Sequence, residues 1–233
     1  MLVLDLFCGR FGWSEAFLER GWSSLGVDLI EPERIPDRCT FLQRDILSIE
    51  SLSSPSWVAL YGRPDFICAS SPCEEFSLHG MKCFHKNPPY PAMGIKLFNH
   101  TRALCEASGI PYVMENVRSA QEFVGKAVHR CGPFYLWGNA VPPLMAQGVT
   151  KGNSFRGAPG AYMKKRPADV SVRAWRNKYQ QEAERMAGGR RHCASVAAVI
   201  APELSKAVAE YADRLMEPVN VERSNLNAQT QTR

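Results

Sequence analysis

The sequence lacks several features that mark common protein classes. No stretch reaches the roughly 18 consecutive apolar residues of a membrane-spanning helix. No two cysteines have the C-x-x-C spacing of a zinc site, and no Walker sequence for binding ATP is present. The stretch Met1–Asp5 has neither the basic start nor the cleavage site of a signal peptide. We therefore expect a cytoplasmic protein with no membrane partner and no metal.

The remaining composition predicts one compact domain with a small appendage. The chain has 233 residues, of which 45% are hydrophobic, enough to form a core. Its eight cysteines are expected to stay reduced, because disulfides are rare in the cytosol. Cys83 and His85 are the nearest approach to a metal-binding pair, and two ligands alone do not make a site.

The net charge of +5 is unevenly distributed along the chain. Basic residues crowd the later third, where Tyr162, Trp175 and Tyr179 are interleaved with them. This pattern indicates contact with a polyanion such as a nucleic acid, although solvated surface charge is the alternative for any single residue. The basic residues are Lys164, Lys165, Arg166, Arg173, Arg176, Lys178, Arg185, Arg190 and Arg191.

Two polar positions follow predicted buried strands. The apolar run Phe66–Ala69 predicts a strand, and Cys73 comes shortly after it, behind the stiff Pro72. Tyr112–Met114 predicts another strand, which ends in Glu115. In an open α/β sheet, ligands bind at the carboxyl ends of the strands. We therefore expect a nucleophilic thiol and a carboxylate at one site, the alternatives being a buried structural cysteine and a structural ion pair.

The first part of the chain indicates a nucleoside-bearing cofactor. Leu2–Phe7 predicts a strand, and the glycine turn Cys8–Gly12 leads into a helix, an arrangement that offers backbone N–H groups to a ligand. About 20 residues later, Asp28 ends a second predicted strand, where a carboxylate can bind the ribose hydroxyls. A third predicted strand ends in Asp45 and Ile46, which could meet an adenine ring. Helix or turn capping is the alternative for both aspartates. The missing third glycine argues against NAD.

The other segments are predicted from local patterns. Residues 78–91 lack a pattern and predict a functional loop covering Cys73. A helix is expected over Met93–Ser108, and an aromatic hairpin over His129–Asn139. Residues 150–170 predict a loop, Arg173–Ala187 a polar helix, and Pro202 to about Leu215 an amphipathic helix.

At this point the chain resembles the cytosine-C5 DNA methyltransferases. The run Asp5–Gly9 with Gly12 and Ser14 is similar to the first motif of that family. Ser71–Cys73 with Phe76 and Ser77 resembles its nucleophile motif, and Glu115–Val117 resembles its ENV motif. Ala201–Leu204 is similar to the last motif, whose helix packs against the first. The motifs stand in the family's order and span most of residues 1–215.

The resemblance implies a reaction and a set of site residues. Cys73 would add to C6 of a flipped cytosine, and C5 would take the methyl group of S-adenosylmethionine. Catalytic roles are implied for Cys73, Glu115 and Asn116. Cofactor contacts are implied for Asp5, Phe7, Cys8, Gly9, Gly12, Asp28, Leu29, Asp45 and Ile46. Substrate contacts are expected for Pro72, Phe76, Ser77, Val117, Arg118, Arg130, Lys164, Lys165 and Arg166.

The implied fold is a Rossmann-like α/β sheet of the S-adenosylmethionine-dependent methyltransferase type, with helices on both faces. We expect a catalytic and cofactor-binding core over residues 1–125 and a small recognition region over 126–195. A returning C-terminal helix is expected over 196–216, followed by a disordered tail over 217–233. The interval between Val117 and Pro202, only about 85 residues, is typical of compact phage-type orphan methylases. We expect a monomer that acts on double-stranded DNA in a bacterial cell or a phage-infected host.

The sequence also departs from the family pattern. Phe11 stands where the family has glycine, Glu74 where it has glutamine, and Ser71 where it has proline. Phe11 is expected to crowd the cofactor turn, and Arg10 admits a donor that carries an extra carboxylate. The alternatives are therefore cytosine-C5 modification of RNA or of a free nucleotide, and a degenerate homologue that only binds DNA.

Overall fold

The computed structural model describes residues 1–80, 90–143 and 200–217. Several sequence predictions fall outside these ranges. They are the Cys83 and His85 pair, the basic residues of the later third, the helix over Arg173–Ala187 and the tail after residue 217.

The described residues form one sheet of seven strands. The strands are β1 (Leu2–Leu6), β2 (Ser23–Asp28), β3 (Cys39–Gln43), β4 (Phe66–Ser70), β5 (Tyr112–Asn116), β6 (His129–Cys131) and β7 (Phe134–Trp137). Their order is β3-β2-β1-β4-β5-β7-β6. The first five are parallel, and β7 runs antiparallel to both of its neighbours. The predicted Rossmann-like α/β fold is confirmed.

Helices cover both faces of this sheet. They are α1 (Ser14–Glu19), α2 (Pro55–Tyr61), α3 (Glu74–Gly80), α4 (Ala92–Ser108), α5 (Gln121–Val124) and α6 (Pro202–Met216), with short 3₁₀ helices at Ile46–Ser48 and Arg118–Ala120. One core cluster joins α2 and α4 to one face of the sheet. The other cluster joins α1 and α6 to the opposite face. The near-continuous apolar strands follow from this burial on both faces.

The last helix is tied to the beginning of the chain by a buried contact. Trp22 is fully buried, and its indole N–H donates to Asp213 of α6 at 2.7 Å. The other carboxylate oxygen of Asp213 accepts from the Arg20 guanidinium. One carboxylate thus serves a buried donor and a cation, which fixes α6 against α1.

The structure corrects three boundaries. Leu78–Gly80 belong to α3 and are not an irregular loop. The strand β3 ends at Gln43, and Asp45 caps the 3₁₀ helix that follows. The hairpin of β6 and β7 completes the core sheet, so the core extends past residue 125 to Trp137. Within the described ranges, no helix has the length and apolarity to cross a membrane.

A substitution at Gly138 tests how closely the end of this hairpin packs against β5. Its φ is +129°, and a Cβ built there would lie 2.2 Å from the backbone oxygen of Tyr112. We expect Gly138→Ala to lower the free energy of unfolding by more than about 2 kcal/mol, because the backbone of β5 must move. Urea denaturation measures the loss. Gly125→Ala is the control, since its φ is also positive but a Cβ there meets nothing within 4 Å. Equal losses in both variants would contradict the proposed clash.

Candidate active site

Cys73 follows β4, and Glu115 lies near the carboxyl end of the neighbouring strand β5. The strands β4 and β5 are parallel, and their register aligns Ser70 with Glu115. Paired strands lie about 4.8 Å apart. Cys73 follows Ser70 by three residues, a reach of at most about 11 Å. Both Cys73 and Glu115 are half-buried. The sheet therefore brings the predicted thiol and carboxylate to the same edge, although they are far apart along the chain.

A buried amide joins the two strand ends. Asn116 is fully buried, and its Nδ2 donates to the backbone oxygen and to the Oγ of Ser71, both at 3.0 Å. Its Oδ1 accepts from the N–H of Val117 at 2.8 Å. Both N–H donors of the amide are thereby satisfied. Because these groups are taken up by the protein, the structure places Asn116 behind the site and not facing a substrate.

A second contact lies on the other side of Cys73. Ser119, in the 3₁₀ helix after Glu115, donates its hydroxyl to the backbone oxygen of Phe76 at 2.7 Å. Phe76 is fully buried, and Ser77 donates its N–H to the backbone oxygen of Cys73 at 2.8 Å. The segment that carries Cys73 is thus attached to the end of β5 both before and after the cysteine.

The glycine turn adopts an unusual backbone. Phe7 and Phe11 have φ values of 61° and 62°, a left-handed conformation that non-glycine residues rarely take. Such strained positions cluster at functional sites. Gly9 lies exposed between them, and a Cβ built on it would meet nothing within 4 Å. Open space therefore lies in front of the turn, as the binding of a cofactor there requires.

Phe11 does not crowd the turn, contrary to the sequence prediction. Its side chain is fully buried, and a Cβ on Gly26 of β2 would lie 2.3 Å from its ring. The ring therefore fills the space above Gly26 and lies inside the fold. Phe11 still adopts a left-handed conformation, which a glycine would take without strain.

Asp28 is oriented towards the turn. Its Oδ2 accepts from the N–H of Gly9 at 3.0 Å, and its Oδ1 accepts from the N–H of Ile30 at 3.2 Å. Leu29 and Ile30 expose 61% and 64% of their surface beside it. A carboxylate next to exposed apolar side chains is an arrangement that suits the ribose and base of a nucleoside.

Asp5 supports the turn from below. It is 1% exposed, and its Oδ2 accepts from the Oγ and the N–H of Ser14 at 2.7 and 3.3 Å. The Ser14 hydroxyl also lies 2.7 Å from the hydroxyl of Ser24 on β2. Burial raises the pKa of Asp5 to about 7, the Ser14 bonds oppose the shift, and the charge of Asp28 adds to it. The Oδ1 of Asp5 has no hydrogen-bond partner among the described residues.

The remaining predicted cofactor residues are placed as follows. Asp45 accepts from the N–H of Leu47 at 2.9 Å, which is the capping alternative raised from the sequence. Ile46 is 2% exposed and belongs to the core, so little of its surface is left for an adenine ring. Cys8 is buried, its pKa is raised by burial, and it lies against Gly26. Cys8 therefore forms part of the floor of the turn.

The predicted substrate residues divide into three groups. Pro72, Arg118 and Arg130 are exposed, and Ser77 and Val117 are half-buried, whereas Phe76 is buried in the core. Arg130 stacks over Tyr135, which pairs with Asn116 at the end of β5. Arg130 thus lies level with the candidate site, but on the outer strand. Lys164, Lys165 and Arg166 lie outside the described residues, and within those ranges no cluster of metal-ligating side chains occurs.

Two side-chain hydrogen bonds near the site were not predicted from the sequence. The indole N–H of Trp13 donates to the Oγ of Ser70 at 2.9 Å, which links the glycine turn to the strand before Cys73. The carboxylate of Glu75 accepts from the N–H of Gly94 at 2.8 Å and so caps α4. Glu75 lies on α3, far before α4 in the sequence, so no local pattern marks it as a cap for that helix.

Comparisons with known proteins add little. No protein-family model matches the sequence, and neither does any curated protein. A solved structure of a candidate DNA modification methyltransferase encoded within a prophage of E. coli is similar, with 17% sequence identity and a TM-score of 0.36. The match covers 52% of this chain and 33% of that one, so this chain spans about a third of that protein's length. Similarity this low supports no conclusion about activity.

Asp5 gives the stability a distinctive pH dependence. Its pKa is about 7 in the folded state and 3.8 in the unfolded chain, so the folded protein binds the proton more tightly. The contribution of Asp5 to the free energy of unfolding therefore falls as the pH rises from about 4 to about 7, by about 4 kcal/mol in total. The side chain introduced by Asp5→Asn cannot ionise. As the pH rises from about 4 to about 7, we therefore expect the free energy of unfolding of Asp5→Asn to increase relative to that of the wild type.

Urea denaturation at about pH 4.5, 6 and 8 measures this difference. Asp37→Asn, which removes a carboxylate from the exposed surface, controls for the change in net charge. If Asp5→Asn differed from the wild type by the same amount at every pH, Asp5 would not be the titrating group.

Proposed function

We propose that this protein is a DNA cytosine-C5 methyltransferase that uses S-adenosylmethionine and a covalent intermediate at Cys73. One observation carries the proposal. Asp28, the glycine turn, Cys73 and Glu115 lie at or just after the carboxyl ends of the adjacent strands β2, β1, β4 and β5, in that order along one edge of the sheet. A cofactor bound at the first two would lie next to a pyrimidine bound at the last two.

The donor set at the turn fits S-adenosylmethionine. Gly9 leaves open space, the Asp28 carboxylate can accept from ribose hydroxyls, and Leu29 offers an apolar surface to the adenine. S-adenosylmethionine bound there would supply the activated methyl group that C5 of cytosine accepts. Trp13 connects this turn to Ser70, so the cofactor side and the nucleophile side share one rigid base.

Cys73 would supply the nucleophile. Its Sγ adds to C6 of cytosine, which moves electron density onto C5 and makes that carbon nucleophilic. After C5 is alkylated, loss of the C5 proton and expulsion of the thiolate restore the aromatic ring. Cys73 is half-buried, and Pro72 before it is exposed, so this loop lies at the surface of the sheet edge.

Glu115 would bind the pyrimidine ring. Its carboxyl group at the end of β5 can hydrogen-bond N3 and the exocyclic amine, which stabilises the charge that builds up after thiol addition. Asn116 then acts as a positioning residue, because its amide is buried against Ser71. The cytosine must leave the duplex to reach both groups, as in other enzymes that act on a base.

Duplex DNA containing 5-fluorocytosine tests the covalent step. Fluorine at C5 cannot leave as a proton does, so the adduct accumulates. With S-adenosylmethionine present, we expect the wild type to form an adduct stable in a denaturing gel, and Cys73→Ala to form none while it still binds the cofactor. Cys39→Ala is the control, because Cys39 is also half-buried but lies on β3. Adduct formation by Cys73→Ala would refute the proposed nucleophile.

The same assay separates the substrates. Labelled methyl transfer to duplex DNA, single-stranded DNA, tRNA and dCMP, followed by mass spectrometry of the nucleosides, reports the substrate and the modified atom together. Transfer to duplex DNA alone supports the proposal. Transfer to RNA alone, or to the nucleotide alone, would identify that molecule as the substrate of the same reaction. Transfer of a carboxymethyl group would show that the donor carries an extra carboxylate.

Arg118 and Arg130 are proposed to contact DNA phosphates. Both are exposed near the carboxyl end of β5. We expect Arg118→Ala and Arg130→Ala each to weaken duplex binding, and to reduce the slope of log affinity against log salt by about one, because each arginine releases one counterion. Fluorescence anisotropy over a salt series measures the slope. Arg34→Ala is the control, since Arg34 is exposed on the connection between β2 and β3. An unchanged slope would show that the substituted arginine does not contact a DNA phosphate.

A further inference from the structure

Two serines flank Cys73 through hydrogen bonds that join its segment to the end of β5. Ser71, two residues before the cysteine, accepts from the amide of Asn116 at 3.0 Å. Ser119, four residues after Glu115, donates to the backbone oxygen of Phe76 at 2.7 Å. Each contact thus joins the segment that carries the proposed nucleophile to the segment that carries the proposed carboxylate.

We propose that Ser71 and Ser119 are positioning residues that set the location of the Cys73 sulfur relative to Glu115. The inference rests on the proposed function for its chemical meaning. Neither serine needs to touch the substrate. Ser71 is 4% exposed, and Ser119 is half-buried with its hydroxyl directed at a backbone oxygen.

The hydroxyl of Ser71 completes the bonding of a buried amide. Asn116 has two N–H donors, and the backbone oxygen of Ser71 accepts one of them. Ser71 Oγ accepts the other, so its removal leaves a buried donor without a partner. Proline at this position, as in the family that the sequence resembles, has no hydroxyl. This chain therefore fixes the loop by a contact that the family pattern does not provide.

Ser119 fixes the other side of the loop. Its acceptor, the oxygen of Phe76, belongs to α3, which begins directly after Cys73. The ring of Phe76 is buried and packs against Gly94 of α4, where an added Cβ would lie 3.1 Å from it. The position of α3 is thus set by packing on one side and by Ser119 on the other.

The two contacts confine a short segment. Residues 71 and 76 are both fixed to the β5 side, and Cys73 lies between them. A thiolate that adds to C6 must approach that carbon from one face of the ring while Glu115 holds the ring at its edge, and a misplacement of about 1 Å costs about a hundredfold in rate. Loss of either contact should therefore slow thiol addition more than it weakens binding.

The experiment compares Ser119→Ala with Ser119→Thr, which keeps the hydroxyl. With 5-fluorocytosine DNA, we expect Ser119→Ala to form the adduct about ten- to a hundredfold more slowly, with less than about a threefold change in the affinity for DNA or S-adenosylmethionine. Ser119→Thr should recover most of the rate. Ser71→Ala and Ser71→Thr repeat the comparison on the other side, and Ser56→Ala, exposed on α2, is the control.

Circular dichroism confirms that each variant is folded before its rate is read. If Ser71→Ala does not fold, the comparison of Ser119→Ala with Ser119→Thr tests the proposal by itself, because Ser119 is only half-buried. Equal adduct rates for the wild type and for Ser119→Ala would overturn the proposed role of Ser119. Slow rates in both Ser119→Ala and Ser119→Thr would overturn it as well, because a missing hydroxyl would not be the cause.

Hydrogen exchange separates this inference from the proposed function. If the wild type forms no adduct, the proposed function fails, and exchange at the amide of Ser77, which donates to Cys73, then decides whether the serines hold the loop. Faster exchange in Ser119→Ala, restored in Ser119→Thr, supports the positioning contact. Unchanged exchange in Ser119→Ala would end the proposal.

Discussion

The alignment of β4 with β5 is the constraint on which the candidate site depends. Parallel pairing places Ser70 opposite Glu115, and the residues after each strand must therefore leave the sheet side by side. The buried amide of Asn116 then joins the two exits through Ser71. A slip of one residue in this register would turn Asn116 away from Ser71, because successive side chains point to opposite faces of a sheet.

The cofactor side depends on a different buried group. Asp5 holds the first turn of α1 through Ser14, and Ser14 in turn meets Ser24 of β2. The strands β1 and β2 and the helix α1 are thereby joined beneath the glycine turn. Burial raises the pKa of this carboxyl to about 7, so the group that organises the turn is also one whose charge is costly near neutral pH. Strained or costly positions are common close to binding sites.

The two sides meet through Trp13. This side chain is 1% exposed, and it connects the end of the glycine turn to Ser70 at the end of β4. The α6 helix covers the same face and is held by Asp213 to Trp22. Residues from both ends of the described chain thus pack together on the face of the sheet that Trp13 also covers.

Much of this arrangement could be predicted from the sequence, and some of it could not. The apolar runs of β1, β4 and β5 are buried on both faces, so their composition alone marks them as strands. The positions of Asp28, Cys73 and Glu115 relative to the predicted strands predicted that they lie at one edge of the sheet, and the strand order agrees. The prediction failed for Phe11, whose ring is buried against Gly26, because the direction of a side chain in a turn depends on backbone angles that the residue type does not reveal.

The sequence by itself determined the strands, the glycine turn and the positions of Cys73 and Glu115, because each of these depends on local polarity and backbone preference. Only the tertiary structure decided that Asn116 faces Ser71, that Ser119 reaches Phe76 and that the hairpin after residue 125 joins the core sheet. These contacts join segments that are distant along the chain. Their geometry follows from strand register and helix packing, and no local pattern records it.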